Sequence, residues 1–347
     1  MLVTGCATSG KSGGAAGAPP AGVGGSSGTG GGGSGGVAGA GIAGNAGGTG
    51  GGGAGNAAGG TGGSAIAGSG GAAAGGRGGA GGSAGAGGAA ETYPVPNPIP
   101  ADEDGSLLWL RYKKVPLPGR LAEYQAALNH VVKAGSSATL QAAQSELVTG
   151  LGGLLGVTVP VADQPTGNGA VVLGTPSSST IIANLALFSR LPSVGPEGYL
   201  IETADVGGKA AIVVAGNTDA GVLRGAFALL RHLQCHRPVA GLALSGTPRI
   251  RRRLLNHWDN MDGTVERGYA GRSLWSWSSL PATISQRYKD YARANASLGI
   301  NGTVLNNVNS NAQILTAANL DKVAALATAF RPYGIAVYLS ARFSAPS

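Results

Sequence analysis

Apolar positions recur along the chain with two periods, and the change from one to the other marks out its elements. Between Leu121 and Val132 they fall at Leu121, Tyr124, Leu128, Val131 and Val132, the spacing of one helix face, and similar spacing predicts a helix over Thr139–Leu155. Short apolar runs then predict strands at Val171–Gly174, Tyr199–Thr203 and Ala210–Gly216. The last is apolar throughout, as a strand buried on both faces is. Asn217 stands as a short polar cap before the periodic run NTDAGVLRGAFALLRHL, with Asp219 in its first turn. These elements predict a small α/β sandwich domain over residues 101–247.

From residue 248 onward the order is regular. RRLLNHW reads as a strand, ISQRYKDYARANASLG as a helix from Ser285 to Gly299, and INGTVLNNV as a strand. LTAANLDKVAALATAFRPYG then reads as a helix from Thr316 to Gly334, and IAVYLSARF as a third strand. Mostly apolar strands separated by helices are parallel strands covered by helices, which a doubly wound sheet and a (β/α)8 TIM barrel both contain. The strand, turn and helix of VVAGNTDAGVLRGAF lack the glycine spacings of a phosphate-binding loop, so that turn is read as structural.

Composition removes the first part of the 347 residues from this count. From Ala7 to Ala90 the chain is almost entirely Gly, Ala, Ser and Thr, with Lys11 and Arg77 its only charged side chains. Such residues bury too little apolar surface to offset the entropy of ordering a backbone, so residues 1–100 are expected to be a disordered Gly-rich leader and linker. The glycines keep no three-residue period, which excludes collagen. YPVPNPIP, Tyr93–Pro100, stiffens its exit. Within its start, LVTGC (Leu2–Cys6) resembles a bacterial lipobox, which makes Cys6 a lipidation site and the protein extracellular or cell-envelope. Five residues before Cys6 are too few for a secretory signal, so this reading places the signal's start upstream.

The net charge of +8 does not by itself indicate nucleic acid. The basic residues are scattered, and the densest run, PRIRRR at Pro248–Arg253, leads straight into apolar LL, as a solvated loop or a strand entrance does. No apolar run reaches the ~18 residues of a membrane span, so membrane contact is expected only through a lipid anchor. His232, Cys235 and His236 lack a second ligand pair to close a zinc site. No metal and no cofactor are expected.

Polar and aromatic residues gather where the predicted strands end: His257, Trp258, Asp259 and Asn260, then Asn306, Asn307 and Asn309, then Arg342 and Phe343. Both parallel-sheet folds bind ligands at those carboxyl ends. Flat aromatic faces beside amides and carboxylates suit a sugar, whose C–H face stacks and whose hydroxyls need donors and acceptors. Of three tryptophans within residues 256–277, Trp275 and Trp277 are read as packing and Trp258, between polar neighbours at a strand exit, as a ligand contact.

LLNHWDNMDGTVERGYAGRSLW, RYKDYARANASLGINGTVLNNVN and FRPYGIAVYLSARFSAP together resemble the opening of the catalytic barrel of glycoside hydrolase family 67, the α-glucuronidases, in order from Arg251 to Pro346. The α/β segment before them fits that family's amino-terminal domain. The resemblance implies the first β-α-β-α-β units of a (β/α)8 barrel over residues 248–347. It implies an enzyme that hydrolyses, with inversion, the α-1,2 link between glucuronic acid, or its 4-O-methyl ether, and xylose in xylan-derived aldouronic oligosaccharides. In it Trp258 is the stacking wall of a uronic-acid pocket and Val308 the apolar neighbour of a 4-O-methyl group. Asp259 and Asn307, beside them, are candidates for sugar hydroxyls. A homodimer of the full-length protein is a further expectation.

An inverting glycosidase needs an acid and a base ~6.5 to 9.5 Å apart. Asp259, Asp262 and Glu266 are the available carboxylates, but in the family the acid and base come from later strands, so no catalytic residue is assigned within this chain. Asp259 and Asp262 are read instead as loop-fixing residues that accept from nearby backbone amides. The chain is expected to be a fragment that is inactive alone. Two other readings stay open: a secreted carbohydrate-binding remnant without the acids, and a surface structural protein in which the Gly/Ala tract matters most.

Overall fold

Four of the described α-helices start where the chain offers a side-chain oxygen to their first free amides. In the computed structural model, which describes residues 104–132 and 135–342, Ser137 accepts from the Leu140 amide at the start of α2 (Ala138–Leu155). Thr218 accepts from Gly221 at the start of α4 (Asp219–Gln234), and Ser285 from Arg287 at the start of α5 (Gln286–Ser297). The cap of α4 is therefore Thr218 and not the expected Asn217. The Asn217 amide instead donates to the carbonyls of Leu191 and Gly195, 2.5 and 2.9 Å away. Thr316 does precede α6 (Ala317–Phe330), but its hydroxyl donates back to Gln313 O at 2.8 Å.

A second difference lies at the first predicted helix. The helix α1 spans Pro118–Ala127, and His130–Val132 forms strand β1. Val131 and Val132 lie in parallel register beside Val161 and Ala162 of β2 (Val161–Ala162), and beside Val171 and Val172 of β3 (Ala170–Gly174). β-Branched side chains pack well on a pleated surface, and burial between neighbours outweighs a helical spacing carried by only five apolar positions.

Six strands form the first sheet in the order β2-β1-β3-β5-β4-β6, where β4 is Tyr199–Asp205, β5 Ala210–Gly216 and β6 Ala243–Gly246. β1, β2, β3 and β5 run parallel, and β4 runs antiparallel to β5 and β6. Alternation along the strands sorts the core into two layers. Val131, Val171, Leu173, Ile212 and Val214 face α2 and α4. Val132, Val172, Val213 and Ala215 face the short helix α3 (Thr180–Ala183) and the 3-10 turns of Ala186–Val194. The result is a helix-sheet-helix sandwich.

Three parallel strands form the second sheet: β7 (Leu254–Asn256), β8 (Gly302–Val304) and β9 (Ala336–Tyr338), with α5 and α6 as their crossovers. The order is the β-α-β-α-β read from the sequence, with each strand shorter than its apolar run. One hydrophobic core runs through both sheets: Leu147 and Leu151 of α2, Phe227 and Leu230 of α4, Trp275, Tyr288, Leu305 and Phe330 all belong to it. Among the described residues no helix is long and apolar enough to cross a membrane.

The junction between the sheets is held by arginines. Arg224 and Arg253 both donate to Gly299 O, at 2.9 and 2.5 Å, and Arg231 donates to Ser297 O at 2.7 Å while lying 5.0 Å from the centre of the Trp109 ring. Three cations thus meet the carbonyl end of α5, where the helix dipole is negative. Glu197 pairs with Arg224 at 3.1 Å and with Arg253, and accepts from the Asn301 amide. Arg253 is the last residue of the PRIRRR run and leads into β7, so of the solvated loop and the strand entrance the run's end is the entrance.

Candidate functional site

The carboxyl ends of β7 and β8 lie side by side because the two strands are in register, Asn256 opposite Val304. The ladder continues one step past each strand: His257 N donates to Val304 O at 3.0 Å, and Leu305 N to Tyr338 O at 3.0 Å. Beyond that point side chains take over the pairing. Asn306, fully buried, donates to Ser340 O at 2.7 Å and accepts from Ser340 N at 2.9 Å, so its amide imitates one more backbone pair. Asn307 N donates to Asp259 O at 2.8 Å, which ties the two exits together.

The loop after β7 folds back on itself. Asp259 and Val265 form an antiparallel bridge, as do Thr264 and Arg272. Asn260 donates to Thr264 Oγ1 and Glu266 O, both at 2.9 Å, and Asn307 donates to Asn260 Oδ1 at 3.2 Å and Glu266 O at 3.1 Å. Asp262 accepts from the amide and hydroxyl of Thr264 at 2.9 and 2.6 Å, bonds that hold its carboxyl below the usual carboxylate range. Asp259 is 4% exposed, and its Oδ2 accepts from Ser273 Oγ at 2.6 Å and Leu274 N at 2.8 Å. Both aspartates therefore fix the loop through nearby backbone amides.

Under the loop lies an aromatic floor. Trp275 is 1% exposed and donates through Nε1 to Leu305 O at 3.0 Å, with His257, Tyr288, Tyr291 and Phe330 at its edges. Trp277 is likewise buried. His257 reaches Tyr291 Oη at 2.7 Å, and Tyr291 Oη reaches Thr303 Oγ1 at 2.9 Å. The other ring nitrogen of His257 stands 3.7 Å from Asp259 Oδ1. Burial lowers the His257 pKa and the Asp259 charge opposes that, with a net lowering, so the ring is neutral near pH 7.

Trp258 and Val308, both 36% exposed, stand at the exits of the two adjacent strands. Asp259 and Asn307, the candidates for sugar hydroxyls, are buried, and their polar atoms go largely to the loop. Both amide hydrogens of Asn307 are used, and its Oδ1 accepts from Asn309 N at 2.9 Å. Phe343 and Cys6 lie outside the described residues. Two cavities of about 280 and 490 Å³ lie elsewhere, one beside Arg224, Arg231 and Arg253 at the amino end of β7, the other beside Glu146 and Arg293. In a parallel sheet wound with helices, the amino end serves stability and the carboxyl end binding, so the first cavity does not compete with the strand exits. Among the described residues no group of three or more His, Cys, Asp or Glu side chains is arranged to hold a metal.

Sequence reasoning missed Tyr291, Thr303 and Ser273. Their signal is weak, since each is a lone polar residue on an otherwise ordinary element. It named Glu266 only as a rejected catalyst, yet its backbone lies in the left-handed region at φ 61°.

The model for the glycosyl hydrolase family 67 N-terminus matches residues 108–229, and that for the family 67 middle domain matches residues 232–347. A probable α-glucuronidase A from Neosartorya fischeri is 36% identical over 254 residues, covering 72% of this chain and 29% of the relative. One from Aspergillus terreus is 34% identical over 253 residues, covering 70% and 28%. A solved structure described as a family 115 4-O-methyl-α-glucuronidase matches with a TM-score of 0.42 and 16% identity, over 60% of this chain and 28% of that one. The chain spans less than a third of the length of the curated relatives it matches. With one family's two consecutive domain models meeting end to end across the sandwich and the β7–β9 units, the chain belongs to glycoside hydrolase family 67.

Proposed function

We propose that this chain supplies the uronic-acid wall of an α-glucuronidase, which hydrolyses with inversion the α-1,2 link between (4-O-methyl)glucuronic acid and xylose in xylan-derived oligosaccharides. One observation carries the reading. Trp258 and Val308 are the half-exposed apolar residues of two adjacent strand exits, in a family whose curated relatives are described as α-glucuronidases. In this reading β7, β8 and β9 open a (β/α)8 barrel, the Trp258 ring stacks on the sugar's C–H face, and Val308 receives the 4-O-methyl group. Asp259 and Asn307 act on the sugar through the loop they hold.

Hydrolysis needs an acid at the leaving oxygen and a base across the ring with room for water. Asp259 and Asp262 are bonded into the loop, so the reading takes the acid and base from segments other than those described. No metal or organic cofactor enters it. The reading also places the protein outside the cell or on its envelope, anchored through Cys6. Incorporation of labelled lipid that persists in Cys6→Ser would refute the anchor.

The test is calorimetric titration of the full chain with an aldouronic trisaccharide, alongside an assay for released uronic acid. Trp258→Ala is expected to weaken binding at least tenfold. Equal binding by wild type and variant would refute the wall. Binding without release of uronic acid is the outcome expected of this chain by itself, since the reading takes the acid and base from other segments.

A further inference from the structure

The cavity at the amino end of β7 is lined by cations and by no carboxylate. Its volume is about 280 Å³, and Arg224 and Arg231 of α4, Arg253, Tyr199 of β4 and Thr247 line it. Glu197 pairs with Arg224 and Arg253, whereas among the described residues Arg231 has no ion pair. Three guanidinium charges thus share one counter-charge, which leaves two uncompensated. Burial lowers the Arg224 pKa, Glu197 opposes this and the Arg253 charge lowers it further, so the cavity wall is short of negative charge.

Donors are left over as well. Arg231 gives one terminal nitrogen to Ser297 O at 2.7 Å, and its Nε and second terminal nitrogen have no partner among the described residues. The Arg224 side chain is 10% exposed, and its Nε is buried without one. Tyr199 Oη and Thr247 Oγ1 likewise carry no hydrogen bond among the described residues. Close packing holds the Tyr199 ring beside the arginines: a Cβ added at Gly246 would come 2.4 Å from its Cζ, and one added at Gly225 3.1 Å from its Cβ. The nearby carbonyls of Ser297 and Gly299 are already spent on the three arginines. Polar groups in such a place call for an acceptor, and the charge calls for an anion.

Guanidinium forks match the oxygens of phosphate and carboxylate alike. The two uncompensated charges choose between them, because a phosphate group carries about −1.5 to −2 at pH 7 and a carboxylate a single charge. We propose that this cavity binds one small dianionic oxyanion of the phosphate and sulfate class, with Arg231, Arg253, Tyr199 and Thr247 as its donors and Arg224 as further charge. The anion braces the two sheets, since its donors come from α4, β4 and the turn after β6 on one side and from the β7 entrance on the other. The site is independent of Trp258 and of the uronic-acid reading.

The test is calorimetric titration of the full chain with sodium phosphate at constant ionic strength, with thermal unfolding followed in parallel. Wild type is expected to bind one phosphate with a Kd of about 1 mM or tighter and to melt higher as the site fills. Arg231→Gln should bind roughly fivefold more weakly or worse, and Tyr199→Phe, which keeps the ring and removes only its hydroxyl, about two- to threefold more weakly. Arg252, exposed and outside the cavity, belongs to the same basic run, so Arg252→Gln should change binding by less than about twofold. Sulfate should compete with phosphate, and acetate at equal concentration should not. No saturable binding by wild type, unchanged binding in both Arg231→Gln and Tyr199→Phe, or equal losses in Arg231→Gln and Arg252→Gln would each overturn the site. Displacement of phosphate by acetate would overturn its dianion class.

Discussion

Removing one carboxylate at the junction of the two sheets should loosen both. Glu197 is 29% exposed and pairs with Arg224, 10% exposed, and Arg253, 18% exposed, while accepting from Asn301. Asn301 in turn accepts from Arg253 N at 2.8 Å and donates to Arg251 O at 2.7 Å, so Glu197 pins the entrances of β7 and β8 together. Two charge-assisted bonds at ~1.5–3 kcal/mol each give an upper bound of about 6 kcal/mol. The partial exposure of Glu197 and solvent screening reduce this by about half or more. Glu197→Ala should therefore cost about 2–3 kcal/mol, much of it from leaving Arg224 buried beside Arg253 without a counter-charge. Urea unfolding of the full chain measures it. Burial alone would raise the Glu197 pKa, but hydrogen bonds from Arg253 and Asn301 and both arginine charges outweigh it, and the pKa falls below its ordinary 4.5. A carboxylate with a depressed folded-state pKa contributes fully above its unfolded value and loses that contribution as pH falls through the folded one. Wild type should thus lose stability below pH 4.5 faster than Glu197→Gln does. A loss under about 0.5 kcal/mol for Glu197→Ala, or parallel acid limbs for wild type and Glu197→Gln, would refute the keystone role.

Two further outcomes follow from the aromatic floor. Trp275 Nε1 donates to Leu305 O, whereas Trp277 Nε1 is buried with no partner among the described residues, so Trp275→Phe should destabilise by about 2 kcal/mol and Trp277→Phe by about 1 kcal/mol or less. Equal costs in chemical denaturation would contradict that assignment. His257 and His130 both have pKa values lowered from 6.5, chiefly by burial, so the unfolded chain takes up protons that the folded one refuses. Stability should then fall as pH drops below about 6.5, and His257→Gln should flatten that slope; a slope unchanged in the variant would show that His257 is not the group.

Legibility in the sequence tracked how local each cause is. The buried strand Ala210–Gly216 and the crossovers α5 and α6 announce themselves within a dozen residues, through continuous apolarity or a periodic face closed by Gly299 or Gly334. β1 did not, because Val131 and Val132 continue the helical spacing of α1 and only partners 30 to 40 residues away make them a strand. β2 and β6 are short edge strands with half-exposed patterns, so neither carries a run of apolar residues. At the strand exits, Trp258 was legible as the odd aromatic among polar neighbours. The Thr303–Tyr291–His257 chain was not, since it joins a strand, a helix and a loop that come together only in the fold.

The fate of the polar residues at those exits decides what they are free to do. A strand that ends leaves amides and carbonyls without ladder partners, and in a buried place each must find one. Asn306 spends its amide on Ser340, Asn307 both of its N–H groups on the loop, and Asp259 one oxygen on Ser273 and Leu274. An amide whose two hydrogens are already donated has none left for a sugar hydroxyl. Trp258 and Val308 remain turned outward, with Asn309 and Arg342 also exposed. In the uronic-acid reading the first two offer a stacking face and an aliphatic contact. In the uronic-acid reading, substitutions at Asn307 or Asp259 should consequently weaken sugar binding only together with the stability of the loop, whereas substitution at Trp258 should weaken it alone.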